Sequence, residues 1–217
     1  MKSSGNSRPA ETHSTEQRTA KPRADISPAE TLAPQPRATE TRADIRPLAE
    51  SEIDISLFSS FTRRQEVKKC LRNVGGQWVE KEAPFTDDWS EEDYAFLAEC
   101  LCRTVRTGGI VFGAFVSGAL KGFASAEAKP FGKAGDYREL TSIHVSQELR
   151  GRGIGRELFA RTKAWAKAQG ATKLYISSHP AAESQAFYAA MHCTDAREID
   201  EEHAAREPFD RQLECDL

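Results

Sequence analysis

The sequence holds no phenylalanine, tyrosine or tryptophan before Phe58, while six of its ten prolines fall within the first fifty residues. Too little apolar mass is present there to offset the entropy of ordering. The opening stretch, "MKSSGNSRPAETHSTEQRTAKPRADISPAET" and onward, therefore reads as a disordered tail over residues 1–42, with a folded domain over 43–217. A short echo runs through it, "RADISPAE" at 23–30 and "RADIRPLAE" at 42–50, but two copies that short build no solenoid. The tail also lacks the apolar core of a signal peptide, and its acidic residues argue against a transit peptide.

Other absences narrow the function. The longest apolar run, "GGIVFGAFVSGAL" at 108–120, is too short to cross a bilayer and reads as core strand, so no membrane partner is expected. The five cysteines, Cys70, Cys100, Cys102, Cys193 and Cys215, show no metal-type spacing. Their odd count fits reduced thiols in the cytoplasm, and no metal is expected. A basic excess is missing too. Residues 1–50 carry eight basic and seven acidic groups, leaving 22 against 26 in the rest of a chain of net charge −3. That balance offers no field for nucleic acid and suits a cationic partner better than an anionic one.

What is present reads as a series of short elements. A strand at 43–46 leads into a helix across 48–60, with Pro47 near its first turn. Two semi-alternating runs at 64–85 flank Gly75-Gly76 as a hairpin. Residues 87–109 form a helix, with Ser90 as N-cap, acids in the first turn, apolar Tyr94, Leu97, Leu101 and Val105 on one face, and Gly108 closing it. A second hairpin over 110–128 turns at Ser117-Gly118. The strand "YRELTSIHV" at 137–145 precedes a helix that ends at Gln169 and is stopped by Gly170. The strand "TKLYIS" at 172–177, the short helix "AESQAFYAAM" at 182–191 and a possible closing strand at 209–217 complete the chain. This order predicts an α/β (α+β) domain with a mixed, mainly antiparallel central sheet flanked by helices.

Between strand and helix lies "LRGRGIGREL" at 149–158. A helix N-terminus leaves N–H groups unpaired and carries partial positive charge. Gly151, Gly153 and Gly155 let backbone approach a ligand, so the loop reads as a nest for phosphate or pyrophosphate. Arg150, Arg152 and Arg156 add cationic donors. A P-loop is excluded because no Gly-Lys-Ser/Thr occurs. A dinucleotide fingerprint counted from Gly151 and Gly153 would need glycine where Arg156 stands.

The stretch "RGRGIG" at 150–155, with "SIHVSQEL" before it and "FYAAM" after the next strand, resembles the signature region of the GNAT family of N-acetyltransferases. The resemblance implies acetyl-CoA as cosubstrate, bound over Arg150, Gly151, Arg152, Gly153, Ile154, Gly155 and Arg156. It also implies that the strand around Ile143, His144 and Val145 pairs with the pantetheine arm through a β-bulge, with Ser184 touching the same arm. Glu139, eleven residues before Arg150, matches the family's glutamate base, the alternative being a carboxylate paired on its strand. Tyr188, in "QAFYAAM", matches the tyrosine that protonates the leaving thiolate, the alternative being core packing. His192 stands where many members have glycine, and "PAAES" where many have asparagine. His144 as a lone strand histidine reads as structural.

The acceptor side is less constrained. Acid-rich "FTDDWSEED" at 85–93 and "DAREIDEEHAAREPFD" at 195–210, with Trp78 and Trp89, would suit a small polycation, with Asp88, Trp89 and Glu139 as candidate contacts; solvated surface is the alternative. "VFGAF", "GFAS", "LYIS" and "ESQAFY" also resemble bacterial members acting on small molecules, including aminoglycoside 2′-N-acetyltransferases of the kasugamycin type. The expected activity is therefore transfer of acetyl to a primary amine of a small cationic molecule such as kasugamycin. A polyamine, a protein lysine or N-terminus, and a non-catalytic acyl-CoA sensor are the alternatives. The chain would work as a monomer or homodimer.

Overall fold

The computed structural model describes residues 43–217, so the tail expected over 1–42 lies outside the described residues. The elements begin with strand β1 (Asp44–Pro47), the hairpin β2 (Gln65–Val74) and β3 (Gln77–Asp87), and helix α1 (Glu91–Arg106). Next come β4 (Ile110–Val116), β5 (Ala119–Ala126), β6 (Tyr137–Val145) and helix α2 (Ile154–Ala168). The chain ends with β7 (Lys173–Ser178), α3 (Ala182–Ala190), β8 (Thr194–Asp195), α4 (Glu201–Arg206) and β9 (Arg211–Asp216).

Local chemistry explains most boundaries. Gly75 and Gly76 have φ of 60° and 86°, and Ser117 and Gly118 have 53° and 80°, the doubly left-handed geometry of tight hairpin turns. Ser90 caps α1 by accepting from the Asp93 N–H, while the Asp93 carboxylate accepts from the Ser90 N–H at 2.8 Å. Gly108 and Gly170 take positive φ just past α1 and α2.

The helix expected across 48–60 is instead two 3-10 turns, Glu50–Glu52 and Ile55–Phe58. The buried residues here, Leu48, Ile53 and Phe58, recur every five positions, which no α-helical face accommodates. Asp54 then opens the second turn by accepting from the Leu57 N–H at 3.1 Å. In the acid-rich segment 195–210, to which the sequence assigned no helix, Asp200 caps α4 by accepting from the His203 N–H at 3.0 Å.

The main sheet has seven strands in the order β1-β4-β5-β6-β7-β9-β8, and β2 with β3 forms a separate two-stranded ribbon. The closing strand expected at 209–217 is β9, inserted between β7 and β8. All pairings are antiparallel except β6 with β7, whose parallel run requires the α2 crossover. One face of the sheet packs Leu140, Leu174 and Ile176 against Leu158, Phe159 and Tyr188 of α2 and α3. The other face packs Val111, Leu120 and Phe123 against Phe58, Phe61, Leu97 and Leu101. Leu158 is wholly buried, which contributes roughly 1.5–3 kcal/mol relative to an exposed side chain.

Candidate active site

The parallel contact positions the site because it is short. β6 pairs with β7 only at Tyr137, Arg138 and Glu139. Beyond Glu139 the two strands part, while β6 continues along β5 to Val145 and β7 continues along β9 to Ser178. The divergence starts at an irregularity: Ser125 opposes Ser142 and Ala126 opposes Leu140, leaving Thr141 as the extra residue of a β-bulge. The gap is a cleft of about 950 Å³ reaching from the glycine loop to the rim formed by Gln65 and Glu66 of β2.

The open edge of β6 is a built hydrogen-bonding surface. The Ser146 N–H donates to the Lys121 carbonyl at 2.9 Å, toward β5. Strand alternation turns the backbone groups of Ile143 and Val145 to the other edge, facing the cleft. The Val145 carbonyl indeed accepts there from Arg150 Nε at 3.0 Å. An extended amide-bearing arm can pair with such an edge as an added strand would.

Each loop glycine serves differently. Gly151 and Gly153 have φ of 76° and 84°, a conformation costly for any other residue, and a Cβ on either would meet no protein atom. Gly155 has ordinary helical geometry, but a Cβ there would lie 3.3 Å from Phe187 Cε2, so this glycine lets α2, α3 and β6 converge. Among the described residues, the Glu157 N–H is the first in α2 to find a carbonyl one turn back, that of Gly153 at 3.1 Å. The N–H groups ahead of it point from a helix start toward the cleft mouth, an arrangement that suits a pyrophosphate.

The cleft brings together most of the residues expected from the sequence. Ile143, His144, Val145, Arg150, Gly151, Gly153, Ile154, Gly155, Arg156, Ser184 and Tyr188 all line it. Ile154 doubles as a core anchor, 7% exposed. Arg152 is exposed and is not among the lining residues. Gln185 fastens α3 to the end of β7 by donating to Ser178 Oγ at 2.8 Å and to the His179 carbonyl at 2.9 Å. Tyr188 is thereby held at the cleft wall, buried, with its ring 5.2 Å from that of Phe187. Burial pushes its phenol well above the ordinary tyrosine range, so it keeps its proton at neutral pH.

Glu139 sits at the last position of β6 that pairs with β7 and is not among the residues lining the cleft. Its Oε1 lies 2.8 Å from His203 Nδ1 of α4, a close contact without hydrogen-bond alignment. Burial raises its carboxyl pKa, with His203 acting in the opposite direction.

Asp88 and Trp89 stay outside the cleft lining as well. Asp88 is exposed and pairs with Arg64 at 3.4 Å. Trp89 faces its own chain, with Arg63 5.2 Å over its ring and His144 4.9 Å away edge to face. Trp78 is likewise covered by Arg211 at 5.2 Å. These aromatic faces already hold cations of the protein, so they form no free platform.

Residues that sequence reasoning did not assign complete the site. Arg63 is buried, donates through Nε to His144 Nδ1 at 3.1 Å, and pairs with Asp87 at 2.6 Å. Its Nη1 is buried without a hydrogen-bond partner. His144, accepting at Nδ1, is kept neutral: burial pushes its pKa down to about 3, and Arg63 and Arg150 add to the effect. Ser177, His179 and Asp210 also line the cleft. No alternation or motif marked Ser177 or His179, while Asp210 ends the acid-rich segment 195–210 that the sequence offered to a cation; the three meet where β7, the loop before α3 and the residue before β9 converge.

Among the described residues, no group of three or more His, Cys, Asp or Glu side chains could hold a metal ion, and no helix is long and apolar enough to cross a membrane.

Solved structures share this architecture. A nourseothricin acetyltransferase matches with a TM-score of 0.57 and 16% identity over 80% of this chain and 96% of its own. A putative streptothricin acetyltransferase from Bacillus anthracis str. Ames, in complex with acetyl coenzyme A, matches with a TM-score of 0.62 and 14% identity over 81% and 98%. The PaiA N-acetyltransferase from Thermoplasma acidophilum, in complex with coenzyme A, matches with a TM-score of 0.51 and 15% identity over 81% and 99%. No curated protein matches the sequence. The model of the acetyltransferase (GNAT) family matches residues 76–192, more than half of the chain, and takes in the bulged β6, the glycine loop and Tyr188. With splayed strands, an amide-rich helix start and a protonated tyrosine in one cleft, the chain belongs to the GNAT acetyltransferase family and is an acetyl-CoA-dependent N-acetyltransferase.

Proposed function

We propose that the protein transfers the acetyl group of acetyl-CoA to a primary amine of a small cationic molecule, with residues 43–217 as the catalytic domain. The observation that carries this reading is the continuous cleft between β6 and β7, with the glycine loop at one end and Glu66 and Asp210 toward the other. The donor end is lined by Arg150 and Arg156 and suits an anion. Arg63, neutralised by Asp87, adds little positive charge beside the acceptor space, so a cation can enter.

In this reading the backbone of Ile143 and Val145 aligns the pantetheine arm, and the loop amides from Gly151 to Arg156 hold the pyrophosphate. Acetyl-CoA supplies the thioester carbon that the amine attacks. Tyr188 donates its proton to the departing thiolate. The buried Arg63 Nη1 offers a donor to an oxygen of the acceptor. Glu139, held by His203, fixes α4 against the sheet.

Small cationic antibiotics are the acceptor class we place first, in a cytoplasmic resistance enzyme. Kasugamycin enters from the sequence resemblance, and nourseothricin and streptothricin from the names of two structural neighbours. The test is free-thiol release from acetyl-CoA in the presence of kasugamycin, nourseothricin, spermidine or a lysine peptide. Release with one of the antibiotics supports the reading and names the class. Release with the peptide alone moves the acceptor to a protein, and silence across the panel with acetyl-CoA bound leaves a non-catalytic binder.

A further inference from the structure

The acceptor side of the cleft carries a carboxylate that neither motif nor periodicity marked. Asp210 precedes β9, and its N–H donates to the Glu207 carbonyl at 3.0 Å, closing the turn after α4. Its side chain lines the same cleft as Tyr188, and its charge is among those felt by the Tyr188 phenol.

A relay of side-chain hydrogen bonds ends at it. Asp210 Oδ2 accepts from Ser177 Oγ at 3.4 Å. Ser177 Oγ accepts from Gln212 Nε2 at 3.0 Å, and Gln212 Oε1 accepts from the Tyr175 hydroxyl at 2.5 Å. The Tyr175 oxygen accepts in turn from the Asp200 N–H at 3.2 Å, at the cap of α4. The Ser177 contact is the single side-chain hydrogen bond of the Asp210 carboxylate among the described residues, and it is long. A carboxylate that lines a cleft with so weak a partner is available to a ligand.

We propose that Asp210 receives the acceptor: its carboxylate binds the substrate's primary ammonium in the cleft and removes a proton from it, the role that the sequence pattern gave to Glu139. This deepens the transferase reading above and rests on it. Glu139 is committed to His203 and stands off the cleft lining, whereas Asp210 lines the cleft.

The step balances without a further reactant. The ammonium gives one proton to Asp210 and becomes a neutral amine. Its lone pair attacks the thioester carbonyl carbon, so a C–N bond forms as the C–S bond breaks. The departing thiolate takes a proton from Tyr188, and the second proton lost by nitrogen restores the phenol. Asp210 releases its proton to solvent through the open cleft, giving amide, coenzyme thiol and one proton.

The surroundings of Asp210 suit a base near neutrality. Burial pushes its pKa up to about 6, Glu207 acts in the same direction, and the Ser177 hydrogen bond and His203 oppose them. Glu66, His179 and the Asp87-paired Arg63 face the same space across the cleft. A base with a pKa near the working pH combines proton affinity with a substantial ionised fraction.

The test compares Asp210→Asn, Asp210→Glu and Glu139→Gln with the wild type, using whichever panel amine the wild type acetylates. Asp210→Asn should lower kcat/KM about 100-fold or more at pH 7, and abolish the rise of kcat/KM around pH 6. It should leave the acetyl-CoA dissociation constant within about twofold, since Asp210 sits on the acceptor side. Asp210→Glu should recover part of the rate, and Glu139→Gln should lose less than about tenfold. If Asp210→Asn keeps its rate and its pH profile while the wild type turns over, Asp210 is overturned and the transferase reading survives. If no amine is turned over, carbon-13 titration of the Asp210 carboxyl with and without spermidine decides. An ordinary carboxylate titration indifferent to spermidine overturns the proposal, and a titration near pH 6 that spermidine lowers supports it.

Discussion

The Glu139 carboxylate and the His203 imidazole meet at 2.8 Å, joining β6 to α4 at the point where β6 and β7 begin to part. The carboxyl is mostly buried, with 21% of the side chain exposed, and burial outweighs the favourable field of His203. The native fold therefore binds the Glu139 proton more tightly than the unfolded chain does. Its contribution to stability is fully present at low pH and is lost as pH rises through the raised folded pKa. Glu139→Gln should accordingly gain in melting temperature relative to the wild type between pH 4 and pH 8, by about 1–3 °C. Paired thermal melts check this, and a pH-independent difference contradicts it.

His144 gives the opposite sign. It stays neutral in the fold, with its pKa pushed down to about 3 by burial and by Arg63 and Arg150, against an ordinary value of 6.5. The unfolded chain takes up a proton below pH 6.5 that the native state refuses, so stability is lost as pH falls toward 3. One such proton gives a slope of at most about 1.4 kcal/mol per pH unit. His144→Gln should flatten the acid limb of denaturant-derived stability by up to that amount, and an unchanged limb would assign it to other groups.

Gly153 begins α2 at φ 84° with open space where a Cβ would stand. Gly153→Ala should cost about 1–2 kcal/mol of stability through the left-handed backbone, and weaken acetyl-CoA binding about tenfold or more as the loop amides shift. Gly155→Ala keeps an ordinary helical backbone, its Cβ meeting Phe187 Cε2 at 3.3 Å and Val145 Cγ2 at 3.6 Å, and should cost less in affinity. Calorimetric titration of acetyl-CoA ranks the two, and equal affinities would detach the loop from the pyrophosphate.

Tyr188→Phe keeps the ring packing against Phe159 and Phe187 but removes the proton donor. It should lower kcat roughly 10- to 100-fold with acetyl-CoA affinity unchanged within about twofold. Equal loss in both would make the tyrosine a packing residue.

Much of this fold was legible because local chemistry and tertiary structure agree. The diglycine at 75–76, the Ser90 cap and the Gly170 stop each mark a boundary by what the backbone must do there, and the strand at 137–145 falls where its pattern placed it. The segment 48–60 misled because its apolar spacing serves a wandering chain with two separate turns. Helix α4 went unseen because six residues rich in acid carry no apolar face; the Asp200 cap, the Tyr175 hydroxyl that accepts from the Asp200 N–H, and His203 against Glu139 help to place it. The donor half of the site was readable since contiguous residues build it. The rest of the cleft draws Arg63, Ser177, His179 and Asp210 from different elements, and no spacing along the chain relates them. His192 shows the two levels side by side: it occupies the position where family members often have glycine, and it adopts φ 62°.

Acetyl transfer to a small amine is tested by identifying the product. Purified protein is incubated with acetyl-CoA and nourseothricin or kasugamycin, and the small-molecule fraction is analysed by mass spectrometry and NMR. One acetyl group is expected on an amine nitrogen, formed in equal amount to the free coenzyme thiol. An unmodified amine beside fully bound acetyl-CoA, or acetyl recovered only on protein, would contradict it.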